Sequence, residues 1–414
     1  ATASARCRID VGKTAPQRTR SRLDGLYDSS GGRGARSMGS DNAGLDQLKA
    51  APWDRFAGWD RWPARILLLV VAALLVLAAI APLSASLDGK PSEVPSLIGD
   101  GTPNGQTESE RDDDLACYGR VIERIGHGEN YYDFIVEEQR ARDYPVRPGL
   151  AVRLPTLAWI YASLGEPAMI ALAIALLFAC IWAWWNRLGE EPGGVRFRLL
   201  GTALMAMGGS LGLNRSFFVL HELWAGMLIA LAFGLHRPGR WGAALFVAAL
   251  ALALRELVLP FVLLMAAMAA WRKDWREATA WIMLVAVFAA IMAWHLSLIA
   301  AQEVPSDPVG PDWLVLRGLS GWLGNIVLSS NLRLLPHELA SPVVILMALG
   351  WAGWKSSAGT TGTLLYLGYG LAFMLAGRAN NFYWGAVVAP AMFIGLAFLP
   401  MALPSLVRAA RGKA

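Results

Sequence analysis

Residues 66–87, ILLLVVAALLVLAAIAPLSASL, contain no charged side chain over 22 positions. A stretch of that length is enough for one α-helix to cross a hydrocarbon layer ~30 Å thick. The stretch begins too far along the chain for a cleaved signal peptide, so we expect it to stay in the membrane as the first span. It therefore predicts an integral membrane protein.

The composition of the whole chain predicts an all-α, polytopic membrane fold. Of the 414 residues, 55% are hydrophobic and 17% are charged, and the mean hydropathy is +0.41. The chain is too apolar for an ordinary soluble domain, in which about 25% of residues are charged. Further apolar runs predict about ten spans with the first, several of them short or broken. These runs occupy residues 167–187, 198–213, 216–235, 241–256, 258–271, 278–300, 342–354, 360–377 and 383–407.

The distribution of charge predicts the orientation of the spans. Residues 1–65 hold 12 Lys and Arg against 7 Asp and Glu, whereas residues 87–150 hold 7 against 14. Cytoplasmic loops are enriched in Lys and Arg, so the first segment is predicted to be cytoplasmic and the second to face outward. The later basic links fall on the side of the N-terminus, which predicts two cytoplasmic termini in a bacterial inner (plasma) membrane. Their basic residues are Arg187, Arg196, Arg198, Arg237, Arg240, Arg272, Lys273, Arg276, Lys355, Arg408, Arg411 and Lys413.

The chain is divided by composition into segments of different character. We expect a disordered cytoplasmic tail over 1–50, an interfacial aromatic helix over 51–65 and the first span over 66–87. The other expected segments are an outer, periplasmic loop with short helices over 88–166, a transmembrane bundle over 167–300, an outer interfacial helix or loop over 301–341, and C-terminal spans with a cytoplasmic end over 342–414. A lid over a lipid substrate is the alternative interpretation of 301–341.

Residues 241–271 are too few for two full spans of ~20 residues each. Either both helices are short, or one long helix is kinked at Pro260. A single helix would move the basic residues after Trp271 to the outer side, so the charge asymmetry favours a broken pair whose turn dips into the membrane.

Ionisable residues within the apolar runs are the strongest sign of a functional site. His221-Glu222 and Arg255-Glu256 lie among Leu, Ala, Val and Phe, where a charge costs several kcal/mol unless it is paired or wetted. The predicted topology brings these pairs to the outer side, together with Arg215, Arg378 and Asn381 and the loop residues 112–114. Consecutive helical residues point about 100° apart, so an Arg255–Glu222 pair that merely joins two spans is the structural alternative.

This set of side chains favours transfer from a phosphorylated lipid. Arginine holds phosphate through paired hydrogen bonds, and a carboxylate can take a proton from an attacking hydroxyl. The sequence contains no phosphate-cradling glycine loop, dinucleotide fingerprint, metalloprotease motif or nucleic-acid motif, and no nucleic-acid partner is expected.

Three motifs of the outer loop carry a family resemblance. They are Asp114-x-x-x-Tyr118, then Gly126-x-Gly128-x-x-Tyr131-Tyr132, and last Tyr144-Pro145-x-x-Pro148 leading to Arg153-Leu154-Pro155-Thr156. With these motifs the chain resembles the C-type glycosyltransferases, integral membrane enzymes that use polyprenyl-phosphate-linked sugars outside the cytoplasm. The resemblance covers the outer loop by motif and the later spans by topology.

The resemblance implies that a loop carboxylate is the catalytic base, which is Asp114 by position and Asp113 next. This chain departs from the family by a polar insertion from Asp88 to Arg111, because the family usually places its aspartate nearer the end of the first span. The implied donor is a polyprenyl-phosphate-linked sugar, and the acceptor an envelope lipid, glycan or protein. The predicted substrate-binding residues are Tyr118, Arg153, Arg215, His221, Glu222, Arg255, Glu256, Arg378 and Asn381.

A bound metal ion and two other functions are compatible with the same residues. No cofactor is required, although a divalent cation could join Asp113, Glu222 and the phosphate. One alternative is an ion- or proton-coupled transporter whose relay is His221, Glu222 and Glu256, against which the lack of an internal repeat counts. Another alternative is a non-catalytic membrane partner in an assembly.

Overall fold

The computed structural model describes residues 53–83, 107–191, 194–310 and 312–412. The predicted tail over 1–50, and residues 88–106 of the polar insertion, lie outside these described residues. Within them the chain forms α-helices and short 3₁₀ turns without β-strands, which confirms the all-α prediction. The helices are α1 Arg61–Ile80, α2 Thr107–Gly126, α3 Tyr131–Arg140, α4 Thr156–Gly189, α5 Gly194–Gly209, α6 His221–Leu235, α7 Gly242–Leu254, α8 Leu259–Trp271, α9 Trp275–Ala300, α10 Gly318–Leu328, α11 His337–Gly353, α12 Ser357–Leu375, α13 Ala389–Met392 and α14 Gly395–Ala410.

Four helical stretches of the described chain are long and apolar enough to cross a membrane, judged by length and composition. They are Arg61–Ile80, Gly149–Gly189, Trp275–Ala300 and Ala389–Ala410. The membrane prediction is therefore confirmed. The other six predicted spans coincide with α5, α6, α7, α8, α11 and α12, which are shorter or less apolar, so the number of ten spans stays a prediction.

Helix α4 is broken at Gly165, which adopts φ 74° and ψ 167°. A residue with a side chain is strained at such a φ, whereas glycine reaches it without steric cost. Pro167 follows and lacks a backbone N–H, so the helix restarts there with one donor fewer. The break divides a short first part from the long remainder, which begins where the second span was predicted to begin.

Two polar contacts at opposite ends of α6 fix the directions of its neighbours. At the end of α6, His236 Nε2 lies 2.7 Å from Glu277 Oε1 near the start of α9. At its beginning, Glu222 meets Arg255, which follows α7 directly. Helices α6 and α7 are therefore antiparallel, and α8 returns toward the start of α9.

The region 241–271 forms two helices separated by a turn over residues 255–258. Helix α7 ends at Leu254, and α8 begins at Leu259 with Pro260 in its first turn, where the missing N–H has no helical partner to lose. Each helix has 13 residues and is about 20 Å long, whereas the 26 residues of α9 extend about 39 Å. This geometry favours the broken pair over one helix kinked at Pro260.

Basic links that the charge rule assigned to one side share one end of the bundle, called the basic end below. Arg187 donates to the backbone oxygen of His236, and Arg237 Nε donates to Glu190 at 2.5 Å. Arg272 Nη2 donates to Glu277 at 2.9 Å. Helix α2 packs against α4 and contacts the start of α6 through Tyr118 and His221, and α3 packs against the later part of α9, so both lie at the opposite end, called the loop end.

The interfacial helix predicted over 51–65 is wrong for residues 53–59, which form turns packed into the protein. The Asp54 carboxylate accepts hydrogen bonds from the backbone N–H groups of Phe56 and Ala57 and closes a tight turn. Trp53 packs edge-on against Phe197, with ring centroids 4.5 Å apart. Trp53 and Phe56 thus anchor this turn onto the bundle, whereas Trp62, in α1, is 62% exposed.

The interfacial helix predicted within 301–341 is also wrong, because α10 is buried on every side from Ser320 to Val327. Its small residues face other backbones: a Cβ added at Gly321 would lie 2.2 Å from the oxygen of Phe373, and one at Gly324 would lie 2.5 Å from that of Leu83. Gly and Ser opposite an apolar stripe therefore form a close-packing face here, as they do between membrane helices.

Candidate functional site

Helix α3 and the chain before α4 are locked to α9 at the loop end. Tyr131 OH donates to the backbone oxygen of Arg153 at 2.5 Å. His295 Nε2 lies 3.1 Å from the oxygen of Val152, which can only accept, so Nε2 carries the proton and Nδ1 accepts from Tyr132 OH at 3.0 Å. These bonds hold the backbone of Arg153 in place above the bundle.

Two arginines and two glutamates form a closed charge cluster at this end. Arg255 Nε donates to Glu222 Oε1 at 2.6 Å, and Arg255 Nη1 donates to the carboxylate of Glu256. Arg153 lies farther out, with Nη1 3.7 Å from Glu256 Oε1 and Nη2 4.0 Å from Glu222 Oε1. Each positive group thus faces two negative ones, which offsets the cost of removing these charges from water.

Tyr118 and His221 extend the charge cluster toward α2. Arg153 Nε donates to Tyr118 OH at 3.3 Å, and the rings of Tyr118 and His221 are 5.5 Å apart. Burial raises the pKa of Tyr118 to about 12, so the phenol is neutral at physiological pH and keeps a proton to donate. His221 and Glu222 are consecutive, and each contacts a different neighbour: His221 contacts α2 and Glu222 contacts the residue after α7.

The charge cluster is accessible from one side only. The side chains of Arg255 and Glu222 are 1% and 3% exposed, whereas those of Arg153 and Glu256 are 16% and 29% exposed. A polar ligand can therefore contact Glu256 and Arg153 directly. Through their contacts, these two side chains link the ligand to the buried Arg255 and Glu222.

Asn381 makes hydrogen bonds to Arg378 and to Tyr383, which lies near the charge cluster. Its Oδ1 accepts from the backbone N–H of Arg378 at 3.0 Å, and its Nδ2 donates to Tyr383 OH at 3.3 Å. Tyr383 in turn lies close enough to Tyr118 to add to the effect of burial in raising the pKa of Tyr118. Sequence reasoning missed Tyr383, although it stands two residues after Asn381 in the same turn.

Arg215 does not join the charge cluster. It is exposed, and its guanidinium bonds to Glu166, with Nε 2.9 Å from Oε1. The pair borders an open depression of about 550 Å³ that Leu213, Asn214 and Ser216 also line. Glu166 follows the break at Gly165, and no local pattern indicates that the broken helix supplies this partner.

The predicted bases Asp113 and Asp114 lie in α2, but their side chains fall outside the described part of the chain. Asp114 precedes Tyr118 by four residues, so the two positions are neighbours one turn apart on the helix. Among the side chains that the structure describes, no group of three His, Cys, Asp or Glu is arranged to hold a metal ion. The possible divalent cation at Asp113 stays a prediction.

Arg317 is a buried cation that sequence reasoning missed. It is 7% exposed, and its Nη1 donates to Asn325 Oδ1 at 2.9 Å. Its Nε and Nη2 are buried and make no hydrogen bond, and no described carboxylate forms an ion pair with it. Arg317, Gly321, Gly324 and Asn325 stand at i, i+4, i+7 and i+8, a spacing that leaves room for a long side chain along one helix face.

The two sites differ in what they can do chemically. The charge cluster offers carboxylate acceptors beside a neutral phenol, whereas the Arg317 site offers unused donors and no acceptor of like strength. Arg378 shows a weaker form of the second pattern, because its Nε is buried without a hydrogen bond although the residue is half-buried. No protein-family model, curated protein or solved structure matches this chain.

Proposed function

We propose that this protein is a membrane glycosyltransferase that moves a sugar from a polyprenyl-phosphate donor to an acceptor on the outer, periplasmic face. One observation carries the proposal: side chains far apart in sequence meet in one partly accessible cluster where the loop helices dock on the bundle. Its members are Tyr118, Arg153, His221, Glu222, Arg255 and Glu256. Both Tyr118 and Arg153 belong to the motifs that resemble the C-type glycosyltransferases.

The proposed reaction is a substitution at the anomeric carbon of the donor sugar. Asp114, or Asp113 in its place, takes the proton from the acceptor hydroxyl, and the acceptor oxygen forms a bond to the anomeric carbon. The bond from that carbon to the phosphate oxygen breaks, and polyprenyl phosphate leaves with the electron pair. The negative charge that develops on the phosphate is matched by arginine.

The contacts of each arginine suggest different roles in this reaction. Arg255 already faces Glu222 and Glu256, so we assign it to holding these carboxylates for donor or acceptor hydroxyls. Arg153 and Glu256 are the reachable members and would contact the sugar. Arg378 is the better phosphate ligand of those predicted from sequence, because its Nε has no partner.

The ten-span topology belongs to the same proposal, with the basic end in the cytoplasm and the loop end outside. Cysteine labelling tests this orientation in a chain whose three native cysteines are replaced. We expect His127→Cys, at an exposed position in the α2–α3 turn, to react with a membrane-impermeant maleimide in intact spheroplasts. Arg240→Cys, exposed between α6 and α7, should react only after lysis. The opposite pattern would reverse the topology and contradict an outward-facing site.

The interior of α6 favours an enzyme over a proton-coupled transporter. Between the ionisable residues at its start and His236 after its end, α6 contributes only Leu, Trp, Ala, Gly, Met, Ile and Phe, and most of them are buried. That distance is about 20 Å along the helix axis. A relay through this helix would need proton-carrying groups at intermediate depth.

The decisive experiment measures release of polyprenyl phosphate. Purified protein is incubated with a panel of polyprenyl-phosphate monosaccharides and an envelope extract as acceptor, and the lipid product is quantified by mass spectrometry. We expect turnover with at least one donor and its loss in Asp114→Asn with normal expression. Asp112→Asn is the matched control on the same helix. Turnover by Asp114→Asn equal to wild type would exclude Asp114 as the base, and no turnover with any donor would count against the function itself.

A further inference from the structure

Arg317 is buried, and most of its hydrogen-bond donors are unused. A guanidinium carries five N–H donors, and this one satisfies a single acceptor, Asn325. Asn325 is itself fully buried, and its Nδ2 has no partner. A buried charge of this kind is retained at a cost unless something matches it.

Arg317 directly follows an exposed segment of the chain although it is itself buried. The extended chain before α10 pairs with the end of α12, through Arg317 N to Met374 O at 2.8 Å and Gly377 N to Trp313 O at 2.7 Å. On this extended chain Leu314 and Leu316 are 85% and 59% exposed. On the other side of Arg317, Gly318 has open space around its Cβ position.

The inward side chain lies along the glycine face of α10. A Cβ added at Gly321 would come within 2.8 Å of the Arg317 Cβ, and one at Gly324 would lie 3.6 Å from Arg317 Nη2. The side chain therefore occupies a groove between α10 and its neighbours, and the groove supplies only the Asn325 acceptor. A long, flexible side chain next to an exposed segment can leave such a groove and present its charge outward.

We propose that Arg317 binds the phosphate group of an amphiphile whose apolar chain lies against Leu314 and Leu316. A phosphate accepts two parallel hydrogen bonds from a guanidinium and so replaces the single bond to Asn325. The exposed leucines beside a cation fit a phosphate that is carried on a hydrocarbon chain. The inference deepens the proposed function, and rests on it only in identifying this amphiphile with the lipid-linked donor.

A binding experiment tests the site without requiring sugar transfer. Purified full-length protein is titrated in detergent with polyprenyl phosphate, with the uncharged polyprenol of equal chain length and with inorganic phosphate, and occupancy is read by native mass spectrometry. We expect polyprenyl phosphate to bind about tenfold or more tightly than either control, because each control lacks one of the two contacts. Equal affinity for inorganic phosphate would overturn the apolar part of the proposal, and equal affinity for polyprenol would overturn the phosphate part.

Variants of the site separate binding from a merely structural role. Arg317→Gln should weaken polyprenyl phosphate binding about tenfold or more, and Arg317→Lys should keep part of it because the charge remains. Asn325→Leu removes the inward acceptor and should tighten binding, a result that a structural role would not produce. Arg120→Gln, at an exposed position on α2, is the matched arginine control and should bind as wild type. Wild-type affinity in folded Arg317→Gln would overturn the proposal.

The two proposals fail in different ways. Asp114→Asn is expected to bind polyprenyl phosphate normally while it transfers no sugar. Binding that depends on Arg317, without turnover on any donor, would leave the lipid site standing and remove the transferase. If turnover depends on Asp114 and lipid binding does not change in Arg317→Gln, the transferase proposal stands and the lipid site at Arg317 is removed.

Discussion

Arg255 and Arg317 are both buried at 1% and 7% exposure, and their surroundings are opposite. Arg255 contacts two carboxylates, and Arg317 contacts one neutral amide. The first arrangement is complete within the protein. The second leaves donor nitrogens unused and so points to a ligand from outside. Burial alone therefore does not show whether a charged residue is structural or binds a ligand; its hydrogen-bond partners must be known as well.

The largest expected effect is at the paired arginine. Arg255→Leu leaves Glu222 buried with only the distant Arg153 opposite, so the free energy of unfolding should fall by about 3–5 kcal/mol. Unfolding in mixed detergent–denaturant micelles, followed by tryptophan fluorescence, measures the change. The double variant Arg255→Leu with Glu222→Leu is the control and should recover much of the loss. If the single variant were as stable as wild type, the comparison between the two arginines would lose its basis.

The unpaired arginine should respond with the opposite sign. Arg317→Met keeps a long, unbranched side chain and removes the unsatisfied charge, so the ligand-free protein should gain about 1–3 kcal/mol of unfolding free energy. The same micelle titration measures this gain. A loss like that of Arg255→Leu would mean that Arg317 is already well satisfied. Addition of polyprenyl phosphate should then stabilise wild type and leave Arg317→Met unchanged.

A smaller effect is expected where the charge cluster meets α2. Tyr118→Phe removes the hydroxyl that accepts from Arg153 Nε, a single bond at 3.3 Å in a partly exposed setting. We expect a loss of about 1 kcal/mol and a more mobile Arg153. Thermal unfolding measures the first effect, and the KM for the donor measures the second. Tyr366→Phe, at a buried tyrosine of α12 whose hydroxyl makes no hydrogen bond, is the control and should leave the KM unchanged.

The smallest expected effect concerns the ion pair between Arg140 of α3 and the buried Asp307. Asp307 accepts from Arg140 Nε at 2.5 Å, and this bond, with one from the backbone of Val304, lowers the pKa of Asp307. The pair therefore contributes its full stability above the unfolded pKa of ~3.9 and loses it as the pH falls toward the lower folded value. Below about pH 4, the difference by which the melting temperature of wild type exceeds that of Asp307→Asn should decrease. A difference in melting temperature that did not change with pH would contradict the lowered pKa.

Much of the fold could be predicted because long apolar runs and basic links each carry a strong signal. The start of the long part of α4 and the division between α7 and α8 follow from the sequence. The contact between Glu222 and Arg255 follows from their predicted depth in the membrane alone, because opposite charges at the same depth of a bundle pair with each other. His221 and Glu222 are consecutive and point in different directions, and both have a polar partner: His221 contacts Tyr118, and Glu222 accepts from Arg255.

The missed features depend on contacts that no local pattern encodes. Gly and Ser on α10 are polar by composition but small by shape, and in this bundle their shape decides their position. For the same reason Arg317 was not recognised, since its groove exists only after α10 and α12 pack. Arg215 was assigned by depth to the wrong neighbours because Glu166 becomes available only through the break at Gly165.

The 13-residue helices α7 and α8 have a consequence for the surrounding lipid. Phe246 and Leu250 of α7 and Leu263 of α8 are exposed, and in the proposed ten-span topology acyl chains would contact an apolar surface only about 20 Å high. Such hydrophobic mismatch is relieved by local thinning of the bilayer, at a cost that grows with each ångström. Short-chain lipids should therefore gather beside these two helices, and bilayers of long-chain lipids should compress there.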